Sequence, residues 1–155
     1  MTFGPQATLL QVKTWLRTAA GKPGGARCPA CEQHVQVYRR KINSGMARSL
    51  ILMYRIGGLD WIHLPTQIGA RSREEGKLAY WGLVEEEKEL RPDGGRAGYW
   101  RVTRLGELFV NNQCAVPKYA RVYNQRVLSL DTTERISIKD ALGTKFNYND
   151  LMEGH

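Results

Sequence analysis

The segment Cys28-Pro29-Ala30-Cys31 holds two thiols in one tight turn, and His34 follows shortly after. As thiolates, two cysteines at this spacing can grip a single zinc ion, with His34 as the nearest third ligand. A structural zinc needs four ligands. The chain has no second CxxC or CxxH, Cys114 lies far away between Gln113 and Ala115, and His63 and His155 are isolated. Four readings stay open. The pair binds zinc with His34 and a distant fourth ligand, or it binds zinc between two protomers. Alternatively it keeps a knuckle shape without metal, or it is a redox pair. The last lacks the alternating strands and helices of a thioredoxin-like context.

Other chemistry is hard to assemble from these residues. There is no P-loop, no nucleophile elbow, no GxGxxG after a strand and no HExxH. The carboxylates Glu85 to Glu87 fall in one run, which does not create an acid and a base with separated pKa values. The expectation is a binding protein, not an enzyme.

Charge indicates what would be bound. The net charge is +8, which favours a polyanion as partner. It is unevenly spread. Residues 1–43 carry seven Lys/Arg against one Glu, residues 44–112 ten against nine acidic residues, and residues 113–155 six against five. Arg39, Arg40 and Lys41, with Arg27 nearby, form a candidate second nucleic-acid contact in the first segment.

The elements that must position these side chains are legible from pattern. The chain has 155 residues, 42% of them hydrophobic, enough for one domain and a small appendage. No apolar run reaches the roughly 18 residues of a membrane span. The start shows no secretory pattern, and three cysteines make no disulfide framework, so a reducing intracellular compartment is expected. Leu9, Val12, Leu16 and Ala20 fall at helical spacing, capped by Thr8 and ended by Gly21. Val35, Val37 and Tyr38 suggest a short strand.

From Ser44 a helix carries Met46, Leu50, Met53 and Tyr54 on one face and stops at Gly57 and Gly58. A short strand at Trp61 to Leu64 and a short helix opened by Pro65 follow. Ser72-Arg73-Glu74-Glu75 reads as a capping box opening a helix that turns Leu78 and Trp81 inward and ends at Gly82. Leu83 to Glu87 and Tyr99 to Thr103 read as two strands around the turn-rich Arg91 to Arg96, with a last helix at Leu105 to Phe109. The division expected is an N-terminal helix and knuckle (1–43), a central domain (44–112) and a strand-rich extension (113–155). The extension's Ala141, Leu142, Phe146, Tyr148 and Leu151 are apolar enough to pack back on the core.

The central order resembles a winged helix-turn-helix domain. Lys77-Leu78-Ala79-Tyr80-Trp81-Gly82-Leu83-Val84-Glu85 looks like a recognition helix running into the first wing strand, and Gly98-Tyr99-Trp100-Arg101-Val102-Thr103-Arg104-Leu105-Gly106 like the returning strand and closing helix. Small winged-helix proteins of bacteria and their phages share this pairing of a "YWGL" step with a "GYWRVT" return. The cysteine turn is similar to one knuckle of a zinc ribbon.

The resemblance implies an α+β fold, a bacterial or phage-infected cytoplasm, and a regulator docking on double-stranded DNA, commonly as a homodimer. Arg73, Lys77 and Tyr80 would face the major groove, with Gly76 allowing close approach. Arg71 and Ser72 would meet phosphate at the helix N-terminus. Arg96 would reach a minor groove or the backbone from the wing tip, and Arg101 and Arg104 would add phosphate contacts. The alternative is a small phage-type module that binds and modulates a host protein complex, suggested by the near-neutral centre and the extension.

Overall fold

In a computed structural model, residues 3–68, 74–87, 98–124 and 126–154 are described. The chain gathers into two compact units, Met1–Arg40 with Arg121–Ser129, and Lys41–Ala120 with Leu130–His155. Residues 121–129 group with the first unit, and residues 113–120 and 130–155 with the second. Both units are built from helices and small sheets, so the fold is α+β.

In the first unit, helix α1 (Leu9–Ala19) starts at a reciprocal cap. Gln11 N–H donates to Thr8 Oγ1 at 3.1 Å and Thr8 N–H donates to Gln11 Oε1 at 2.8 Å, satisfying two of the donors a helix start leaves over. The apolar stripe of α1 is not core along its length. Leu9 and Leu10 are 68% and 71% exposed, while Ala19 and Ala20 are buried. Val37 N–H donates to Ala20 O at 2.8 Å and ties the helix end to the strand approach.

Strands β1 (Ala26–Arg27) and β2 (His34–Val35) pair antiparallel around the cysteine turn, with Ala26 opposite Val35 and Arg27 opposite His34. Gly25, at φ 70°, precedes β1; a Cβ there would collide with the Val35 carbonyl oxygen, so the close approach demands glycine. Strand β3 (Tyr38–Lys41) follows.

The second unit is organised around α2 (Ser44–Gly57), whose Asn43 side chain caps it by accepting from Met46 N–H at 2.8 Å. Met46, Ala47, Leu50, Ile51 and Met53 are buried, as the helical period requires. Strand β4 (Ile62–His63), helix α3 (Leu64–Gln67), a 3₁₀ helix (Glu75–Trp81), strands β5 (Val84–Glu86) and β6 (Tyr99–Val102), and helix α4 (Arg104–Val110) follow in turn. The sheet order is β4-β6-β5, antiparallel, with Val84 opposite Val102, Glu85 opposite Arg101, and Ile62 opposite Trp100. Thr103 caps α4 by accepting from Gly106 N–H at 3.1 Å.

Strands β7 (Val116–Tyr123) and β8 (Arg126–Ile136) flank Asn124 and form a three-stranded sheet in the order β3-β7-β8. Helices α5 (Ile138–Leu142) and α6 (Tyr148–Glu153) pack on α2, burying Ile138, Leu142 and Leu151. Tyr148 Oη donates to Val110 O at 2.6 Å and Arg55 donates to Leu151 O at 3.1 Å, pinning this end of the chain to the core.

One element departs from expectation. The helix before Trp81 is 3₁₀, not α, and its first residue is Glu75. Ser72, the expected cap, lies outside the described residues. Glu75 does not sit at the third helical position; its carboxylate accepts from the buried Ser49 hydroxyl at 3.2 Å. Gly76 is turned to the sheet: a Cβ there would stand 3.2 Å from the Trp100 indole. The physical reason is tertiary packing. A ring laid against Gly76 and a carboxylate drawn to α2 tighten the turn over intrinsic α preference.

Candidate nucleic-acid interface

Three of the basic side chains expected on the DNA face lie within the described part of the second unit, and each meets a carboxylate. Lys77 Nζ is 2.6 Å from Glu74 Oε1. Arg101 Nε bonds Glu85 across the β5–β6 pair, and its guanidinium stands 4.4 Å over the Trp61 ring. Arg104 bonds Glu107, whose other oxygen accepts from Tyr54 Oη at 2.9 Å. Tyr80 is half-buried beside Trp81, ring centroids 6.3 Å apart. Arg71, Ser72, Arg73 and Arg96 lie outside the described residues.

Such pairs have two consequences. Exposed ion pairs are worth only about 0–1 kcal/mol, so a phosphate can compete for the cation at little cost. Yet each pair has no net charge, so these three cations add little field to steer a polyanion.

The first unit is the opposite. It holds eight Lys/Arg and a single carboxylate side chain, Glu32. Lys13 and Arg17 stand one helical turn apart on exposed positions of α1, and Arg126 begins β8. These three line one cavity of about 440 Å³, with no acidic residue among the described residues around it. Arg121 lies on β7 in the same unit, near Gly21. Arg39, Arg40 and Lys41, the expected second contact, are all exposed on β3, and Arg40 stacks 5.1 Å from the Tyr38 ring centroid. Lys41 itself belongs to the second unit. There it lines a cavity with Lys118, Arg135 and Lys145, but also with Glu134 and Asp140.

Lys13, Arg17, Arg121 and Arg126 were missed by pattern reading. The helical spacing of Lys13 and Arg17 was available as a signal, as was the scarcity of acidic residues before Asn43. The joining of Arg121 and Arg126 to them had no local signal.

At the knuckle, Cys28 N–H donates to Gln33 O and Glu32 N–H to Cys28 O, each at 2.8 Å, and Glu32 takes the left-handed conformation, φ 64°. Backbone N–H groups of Cys31 and Ala30, then the Cys31 side chain, point to the Cys28 sulfur and lower its thiol pKa. All three cysteines are free thiols. As a zinc site the pair supplies two of four ligands. His34 bonds to Gln36 Oε1 at 3.2 Å, and among the described residues no group of three His, Cys, Asp or Glu side chains is placed to hold a metal.

No known protein family, curated protein or solved structure matches this chain. Fold and site define an α+β protein whose positive charge is concentrated in one small unit. Among the described residues, no helix is long and apolar enough to cross a membrane.

Proposed function

We propose that this chain is a DNA-binding protein, a regulator that reads duplex DNA with a winged helix in its second unit while the first unit supplies electrostatic grip. The observation that carries this reading is the interleaving of α2, β4, α3, the 3₁₀ helix, β5, β6 and α4 with a β4-β6-β5 sheet. In that arrangement β5 and β6 correspond to wing strands and the 3₁₀ helix to the recognition element. The second support is the excess of cations in the first unit, which suits phosphate.

The test is binding to a random duplex pool across a salt series, with selection of bound sequences. Affinity should fall steeply, by a factor of roughly 10³ or more between about 50 and 200 mM salt if six or more phosphates are neutralised. No duplex binding at the lowest salt would refute the reading. Pairing of Lys77, Arg101 and Arg104 with carboxylates favours a second reading, a protein-interaction module. For that module, charge reversal at Lys77 leaves partner capture unchanged.

A further inference from the structure

We propose that the cavity of the first unit is a site for an unpaired nucleotide of single-stranded nucleic acid, distinct from any duplex contact of the second unit. The inference deepens the nucleic-acid reading above and rests on it. The cavity brings together residues more than one hundred positions apart in sequence: Lys13 and Arg17 from α1, and Tyr123 and Arg126 from the ends of β7 and β8. Its cations have no carboxylate beside them among the described lining residues, so an anion is what the site lacks.

The remaining lining decides which anion. Leu16, Val37 and Leu128 are apolar, and Tyr123 is 37% exposed. Free phosphate gains nothing from such surface. A base does, by stacking on an aromatic ring and burying its faces against aliphatic carbon. The volume, about 440 Å³, suits one nucleotide. A base held in a duplex cannot enter it, because its faces are covered by its neighbours and its edge by its pair. Cations for the phosphate and an aromatic face for the base are the two components of sequence-tolerant single-strand binding.

The experiment measures fluorescence anisotropy of labelled oligo-dT, roughly 15 nucleotides long, with the full chain at several salt concentrations. Duplex DNA is measured in parallel. Oligo-dT should bind, and the double variant Arg17→Glu, Arg126→Glu should weaken it at least about tenfold at 50 mM salt. It should also flatten the slope of log affinity against log salt by about 1.4, the share of two single-strand phosphate contacts. Arg17→Lys with Arg126→Lys should retain the slope. Tyr123→Ala should weaken oligo-dT about fivefold or more with the slope unchanged.

Ultraviolet crosslinking of the unaltered protein to oligo-dT gives a second readout that needs no variant. The adduct should fall on the peptide holding Tyr123. No oligo-dT binding at 50 mM salt overturns the inference, as does an unchanged affinity after charge reversal, or an adduct confined to the second unit. Duplex binding without oligo-dT binding refutes this site alone. Oligo-dT binding without duplex binding refutes the winged-helix reading alone.

Discussion

Removing three carboxylates should strengthen duplex binding. Glu74, Glu85 and Glu107 neutralise Lys77, Arg101 and Arg104 in the second unit. The variant Glu74→Gln, Glu85→Gln, Glu107→Gln frees these cations and keeps near-isosteric side chains. Each freed phosphate contact steepens the salt slope by about 0.9 for duplex DNA, equivalent to about eightfold in affinity at 0.1 M salt. If all three side chains reach phosphate, the slope steepens by about 2.7.

For Glu74 and Glu85, 43% and 45% exposed, the cost in stability is small, because exposed pairs are worth about 0–1 kcal/mol each, whereas Glu107 is 18% exposed. The Glu107→Gln change leaves an amide oxygen that still accepts from Tyr54 Oη, so the bond made there by Glu107 keeps an acceptor. The assay is duplex anisotropy over a salt series, with urea unfolding as control. An unchanged slope in a stably folded variant would mean that this face does not meet DNA, and the winged-helix reading would lose its contact surface.

Other outcomes follow from burial and acidity. Leu142 is 1% exposed where α5 meets α2, so Leu142→Ala should destabilise by about 2.5–4 kcal/mol in urea unfolding, whereas Leu128→Ala, at 56% exposure, should cost under about 0.5 kcal/mol. Equal effects would show that the tail helices are not core. The backbone donors at Cys28 lower its thiol pKa, while burial raises that of Cys114. Iodoacetamide at neutral pH should therefore label Cys28 well ahead of Cys114, read by peptide mass spectrometry. Equal labelling rates would refute the argument.

The two thiols have opposite linkage. The depressed Cys28 favours the folded state above the unfolded thiol pKa, a contribution lost as pH falls through its folded value. The raised Cys114 contributes below the unfolded thiol pKa and loses that contribution as pH rises through its own.

Local chemistry was legible in the sequence wherever a few neighbouring residues decide the outcome. The Thr8 cap and the end of the 3₁₀ helix at Gly82, φ 73°, depend on bonds and torsions within a turn, so residue type suffices. The inward face of α2 follows from the helical period, and of the apolar tail residues expected to pack, Leu142 and Leu151 are buried while Ala141, Phe146 and Tyr148 are half-buried.

Contacts between distant segments were decided only in three dimensions. Whether the turn before Trp81 is α or 3₁₀ depends on Trp100 and Ser49 reaching Gly76 and Glu75 from other elements. The neutralising of Arg101 by Glu85 depends on the β5–β6 register. The two thiols of Cys28 and Cys31 were readable as a pair, but not how the surrounding hairpin places His34. The net charge and its bias toward residues 1–43 were visible in the sequence, while the tail cations that join them were not. Arg121 and Arg126 join Lys13 and Arg17 because β7 and β8 bring the tail back to the N-terminal helix, and no local pattern of residues encodes that return.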